Sequence, residues 1–110
     1  MNFIDTSGTV HNLDVYGIKT YASGVVKIGD DSKITVSGNV SGLDSNNQPN
    51  VMKGMYAGDN ATMDSGIIEV GDNLELNVIN AGTGWTYGID SYDGATISVG
   101  DGLRLFVTGG

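Results

Sequence analysis

Residues Tyr87 to Gly109 read YGIDSYDGATISVGDGLRLFVTG, and residues Tyr16 to Gly38 read YGIKTYASGVVKIGDDSKITVSG. The two align without a gap. They share Tyr-Gly-Ile, a second Tyr four residues after that Gly, a Gly-Asp pair, and a closing run of spaced apolar residues. A third copy lies between them. In it Lys53-Gly54-Met55 takes the place of Tyr-Gly-Ile, and SGIIEVGDNLELNV (Ser65 to Val78) matches SGVVKIGDDSKITV (Ser23 to Val36). Five extra residues separate the two halves of this middle copy. Self-similarity at such a period marks a repeat architecture, in which no unit can bury its apolar face alone.

Each copy contains three strand-like pieces. The first centres on Gly17, Gly54 or Gly88, the second runs into Gly-Asp, and the third is the L-x-L-x-V type run. Val25-Val26-Lys27-Ile28 and Ser32-Lys33-Ile34-Thr35-Val36 alternate with a period of two and are rich in β-branched residues, the pattern of a half-buried strand. Gly-Asp and Ser-Gly between such runs read as turns. No stretch repeats apolar residues at helical spacing, so essentially no helix is expected. Asn39 to Asn50, which holds the sole Pro, reads as a loop.

Laid in register, the inward positions form columns: Val26 with Ile68 and Ile97, Ile28 with Val70 and Val99, Ile34 with Leu76 and Leu105, and Val36 with Val78 and Val107. Leu74 and Leu103 fall under Ser32. Strands stacked about 4.8 Å apart would share these columns as one core. The outward positions give an independent check. Lys27 falls beside Glu69, and Lys33, Glu75 and Arg104 alternate in sign, which favours that register over one that places like charges together. Tyr16 with Tyr87 and Tyr21 with Tyr92 suggest aromatic ladders that the middle copy interrupts. The expected fold is therefore all-β: a parallel β-helix, or β-solenoid, of about three coils with three strands per coil. An antiparallel sandwich also has many short strands, but it gives no reason for the same residues to recur at the same offsets. Residues 15–110 form the three-coil segment, and residues 1–14 read as a partial coil or N-terminal cap.

Composition narrows the function classes. Thirteen acidic residues against five basic ones give a net charge of −8, which speaks against a nucleic-acid backbone as partner, since that needs clustered cations. There is no Cys, so disulfides and thiolate zinc sites are excluded. No apolar run approaches the roughly 18 residues of a membrane-spanning helix. The opening MNFIDTSG is not a signal peptide. Either the protein is cytosolic or this chain is an excised piece of a longer exported one, and the closing Val-Thr-Gly-Gly, which stops where the copies would begin a connection to the next coil, favours excision.

The candidate chemistry is sparse. Gly29-Asp30, Gly71-Asp72 and Gly100-Asp101 would stack into a carboxylate ladder able to attract calcium. The simpler reading is that each Asp caps its own turn, so no cofactor is expected. His11 has no partner His or Cys. Asp90 and Asp93 sit close enough in sequence for a carboxylate pair, but Lys19 and Ala22 hold the aligned places in the first copy. No catalytic or metal-binding residue is assigned, and the chain is not expected to be an enzyme. The binding candidates are the aromatic residues Trp85, Tyr87, Tyr92 and Phe106, together with the loops Asn39 to Asn50 and Asp59 to Met63. Open strand edges at the two ends of the stack invite self-association. Asn39-Val40-Ser41 and Asn60-Ala61-Thr62 match the glycosylation sequon, which counts only in a eukaryotic secretory setting.

The frame of Tyr-Gly-Ile, a Gly-containing turn, an alternating strand into Val/Ile-Gly-Asp and then Leu-x-Leu-x-Val-x-Gly resembles the passenger repeats of bacterial autotransporter adhesins. The resemblance covers roughly residues 15–110. It implies a right-handed β-helix displayed outside the bacterial outer membrane, acting in adhesion, aggregation or biofilm formation, with a host or bacterial surface protein or glycan as partner. No catalytic residue of the family maps onto this chain. The alternative is a fragment of a carbohydrate-active β-helix protein of the phage tailspike or polysaccharide lyase type.

Overall fold

A computed structural model describes residues 3–6, 9–11, 14–20, 24–58, 66–92 and 94–109, with side chains from Asp14 onward. The described residues contain eleven strands and no helix. In chain order they are β1 (Phe3–Thr6), β2 (Thr9–His11), β3 (Val15–Thr20), β4 (Val25–Ile28), β5 (Lys33–Ser41), β6 (Val51–Ala57), β7 (Ile67–Val70), β8 (Glu75–Asn80), β9 (Trp85–Ser91), β10 (Thr96–Val99) and β11 (Arg104–Thr108).

These strands make three parallel sheets, each taking one strand from every copy. Their orders are β3-β6-β9, β4-β7-β10 and β1-β5-β8-β11, with β2 pairing onto the far end of β5. All pairs between these strands are parallel, so the antiparallel sandwich is not the fold. The arrangement is β-solenoid-like. Four strand levels at about 4.8 Å match the short 15 Å extent of a molecule that measures 35 × 33 Å across.

The register is the one that the charge pattern favours. Ile68 lies between Val26 and Ile97, Val70 between Ile28 and Val99, Leu76 between Ile34 and Leu105, and Val78 between Val36 and Val107. Outside, Lys27 Nζ sits 3.8 Å from Glu69, while Glu75 is 3.4 Å from Lys33 and 3.3 Å from Arg104. The core is complete in the middle copy, where Met52, Met55, Ile68, Leu74, Leu76 and Val78 are fully buried. Ser32 is buried at the head of its column and satisfies its hydroxyl by donating to the Gly29 carbonyl at 2.9 Å.

The repeated first Gly has a packing role. A Cβ on Gly54 would come within 2.6 Å of both the Val78 side chain and the Gly88 carbonyl, and a Cβ on Gly17 would strike Val36. The sheet of β3, β6 and β9 therefore approaches the facing sheet more closely than any side chain at this column allows.

Two expectations need correction. Asn39 to Asn50 is not all loop, because β5 continues through Ser41. The strand is held there on both sides. β2 pairs with Asn39–Ser41, and the buried Asn80 accepts the Val40 N–H at 2.8 Å. The loop proper is a compact turn in which the Asp44 carboxylate accepts the N–H groups of Asn46 and Gln48.

The second correction concerns the Gly-Asp turns. Asp30 does not cap its own turn: its Oδ1 accepts the N–H of Asp72 at 2.7 Å, and Asp72 Oδ1 in turn accepts the N–H of Asp101 at 2.9 Å. The backbone just after each Asp is left-handed, at Asp31 (φ 57°), Asn73 (φ 61°) and Gly102 (φ 77°). Only Asp, Asn and Gly adopt that conformation readily. The carboxylate reaches the next level, so the motif ties copy to copy.

Candidate functional site

The outer face of the β3-β6-β9 sheet carries the densest group of ring and charged side chains. Because Gly17, Gly54 and Gly88 point inward, the residues before them point out. Tyr16, Lys53 and Tyr87 make one outward column, since Lys53 pairs with both tyrosines. Lys19, Tyr56 and Asp90 make the next. The interruption of the tyrosine ladder by the middle copy is thus a lysine set between two rings. Lys53 Nζ lies 5.0 Å from the centre of Tyr87, 6.0 Å from Tyr16 and 4.4 Å from Tyr56. It also meets the Asp90 carboxylate at 2.6 Å. Lys19 Nζ stands 4.5 Å over the Tyr16 ring, and the Tyr16 and Tyr56 rings are 5.5 Å apart.

Such a checkerboard places each ammonium on the electron-rich faces of neighbouring rings, an attraction of about 0.5–2 kcal/mol per contact according to exposure. Burial in this cluster pushes the Tyr16 hydroxyl pKa up, and the negative charge of Asp14 adds to the shift. The Lys53 ammonium is thus shared between the Asp90 carboxylate and three rings, which ties the three copies together across this face.

Beside it, at the open end of the stack, lies a depression of about 420 Å³ lined by Trp85, Thr86, Tyr87, Val107 and Gly109. Trp85 is exposed and Tyr87 half-buried. These two of the four sequence candidates come together. Tyr92 is exposed just after β9, and Phe106 is exposed on a different sheet, at the β11 position next to Asn77. Neither lines the depression. A second open depression of about 340 Å³ lies over the Lys33–Glu75–Arg104 column. There the hydrogen bond from Asn77, assisted by the two flanking cations, holds the Glu75 carboxyl below its ordinary pKa against the opposing effect of burial.

Asp90 is taken up by Lys53, while Asp93, Tyr21, the segment Asp59 to Met63 and the side chain of His11 lie outside the described residues. Among the described residues no three His, Asp or Glu side chains gather as a metal site. Of the Gly-Asp carboxylates, those of Asp30 and Asp72 accept backbone N–H groups of the next copy. Sequence reading missed Lys53. The available signal was that a cation replaces an aromatic residue in an otherwise aromatic column, where a cation–π contact is the natural outcome.

Compared with family models, curated proteins and solved structures, the chain matches none.

Proposed function

We propose that this chain is a non-catalytic structural and adhesive segment of a bacterial cell-surface passenger protein, a right-handed parallel β-helix of three coils in an exported parent of the autotransporter type. One observation supports this reading above the rest. The charged side chains on the outer faces are spent on ladders between copies, whereas Trp85 beside Tyr87 is left exposed at a shallow depression. Aromatic rings at a rim suit stacking on a sugar face or burial in a protein contact.

The partner is a host or bacterial surface protein or glycan, and the working place is the cell exterior. Binding to bacterial and host cells, with Trp85→Ala and Tyr87→Ala as controls, tests the idea. Retained binding by both variants, or no binding by the parent chain, would count against it. The second reading, a piece of a carbohydrate-active β-helix, rests on the same aromatic rim. It predicts release of reducing ends from an acidic polysaccharide, which the adhesive reading does not.

A further inference from the structure

The outer face of β3, β6 and β9 holds a ring pair with chemistry of its own. In the parallel register Tyr16 lies beside Lys53, and Lys19 beside Tyr56. Tyr16 and Tyr56 are therefore diagonal neighbours on adjacent levels, one from the first copy and one from the second. Their ring centres stand 5.5 Å apart and the ring planes are tilted by 39°. Both residues are half-buried, so their surroundings hold the rings while part of each stays open to solvent. Two ammonium groups frame the pair. Lys19 Nζ lies 4.5 Å from the centre of Tyr16 and 5.8 Å from that of Tyr56. Lys53 Nζ lies 4.4 Å from the centre of Tyr56 and 6.0 Å from that of Tyr16.

We propose that Tyr16 and Tyr56 form a modification site, at which one-electron oxidation joins the two rings into dityrosine and so staples the first copy to the second. The oxidant is a peroxidase working with hydrogen peroxide. Each phenol gives one electron to the oxidant and its hydroxyl proton to solvent, leaving a neutral tyrosyl radical. One hydrogen peroxide takes up the two electrons and two protons and becomes two waters. The radicals couple through ring carbons ortho to their oxygens. One carbon–carbon bond forms, the two ortho C–H bonds break as protons leave, and the oxygens are reprotonated to phenols. The product is the chain less two hydrogens.

The geometry favours this pair in three ways. Closing from 5.5 Å between ring centres to bonding distance takes a relative displacement of about 1 Å, the size of ordinary side-chain motion. Two bonded rings are twisted, because the groups beside the new bond clash when the rings are coplanar, so rings already tilted by 39° need little reorientation. Coupling within one chain also avoids the entropy lost in bringing two molecules together. The ammonium neighbours do not oppose the step, since electron and proton both leave and each radical is uncharged. The chain has no Cys to intercept the oxidant. Among the described residues Met52 and Met55 are fully buried, and Trp85 is an exposed competitor. The coupling depends on ring geometry inside one chain and on nothing that the surface binds.

The test treats the dilute chain with a haem peroxidase and limiting hydrogen peroxide, then reads dityrosine fluorescence, intact mass and the cross-linked peptides. The expected product has single-chain mass less two hydrogens, a yield per chain that does not change with protein concentration, and a peptide map joining Tyr16 to Tyr56. Tyr16→Phe and Tyr56→Phe should each lower the cross-linked fraction by about tenfold or more, because a radical then lacks its positioned mate. Tyr21→Phe, Tyr87→Phe, Tyr92→Phe and Trp85→Phe should leave the Tyr16–Tyr56 product in place. Phenylalanine keeps the ring and removes only the hydroxyl, and far-UV circular dichroism checks that each variant is folded. Should a variant of the pair fail to fold, the peptide map of the parent chain decides. Three results overturn the proposal: dityrosine formed only between chains, a folded chain that is oxidised without forming dityrosine, or a cross-link within the chain that joins a different pair and survives Tyr16→Phe or Tyr56→Phe.

Discussion

Ile34 and Leu105 occupy the same column, two levels apart, and face the same interior. Ile34 is 1% exposed and Leu105 is 41% exposed. Their side chains are alike in size and chemistry, so residue type does not explain the difference. What differs is the neighbour on the outer side: β1 lies against β5, and among the described residues no strand lies against the outer edge of β11. In a stacked-repeat protein burial is a property of position in the stack, and each level is stabilised chiefly by its nearest neighbours. The comparison yields a ranking of effects that mutation can break.

The largest effect is expected where both neighbours are present. Leu76→Ala leaves a cavity in a fully buried site and should cost about 2–5 kcal/mol. Leu105→Ala, in the same column at the open end, should cost less, about 1–2 kcal/mol, since 41% of its surface stays in water and full burial of a Leu is worth about 1.5–3 kcal/mol. Denaturant unfolding of the two variants checks this, and equal losses would refute the link between level and burial. Next comes Lys53→Met, which removes the ion pair to Asp90 and the contacts to three rings. A loss of about 1–3 kcal/mol is expected, together with a change in near-UV tyrosine dichroism.

The Gly-Asp ladder supplies a finer contrast. Asp72→Ala removes the acceptor for the Asp101 N–H and should cost about 1 kcal/mol. Asp101→Ala, at the last level, should be close to neutral. The smallest effects concern pH. The Tyr16 pKa is raised in the folded chain, so the stability it contributes is present below the unfolded tyrosine value of about 10 and is lost as pH rises through the folded value. Glu75 runs the other way, because its pKa is lowered. Its contribution holds above the unfolded value of about 4.3 and disappears as pH falls through the folded one. Tyr16→Phe should flatten the alkaline slope of stability and Glu75→Gln the acid slope.

The arrangement of levels was legible because Val26, Ile68 and Ile97, and likewise Lys27 and Glu69, recur at fixed offsets; a parallel in-register stack converts such offsets directly into contacts. The direction of the Asp30 side chain was not legible. A turn that caps itself and a turn that caps the next level use the same residues, and the difference lies in which N–H the carboxylate reaches, that of Asp72 for Asp30. The extension of β5 to Ser41 was hidden for a similar reason. Asn39-Val40-Ser41 is too polar to read as strand, and what keeps it extended is β2 and Asn80, both distant in sequence.

A partial guide to the first level did exist. Ser7-Gly8, Val10 and Leu13-Asp14 repeat Ser37-Gly38, Val40 and Leu43-Asp44 at a constant offset. Of the binding candidates, Trp85 and Tyr87 share one surface because they alternate on β9. Phe106 belongs to the third strand of the same copy, β11, and so to another sheet.

The most direct test of the stacked register is the set of cross-strand nuclear Overhauser contacts made by the Ile68 and Glu75 backbones. Each middle-copy residue should show two parallel neighbours: Val26 and Ile97 for Ile68, and Lys33 and Arg104 for Glu75. Contacts with only one of the two, or with an antiparallel partner, would contradict the account.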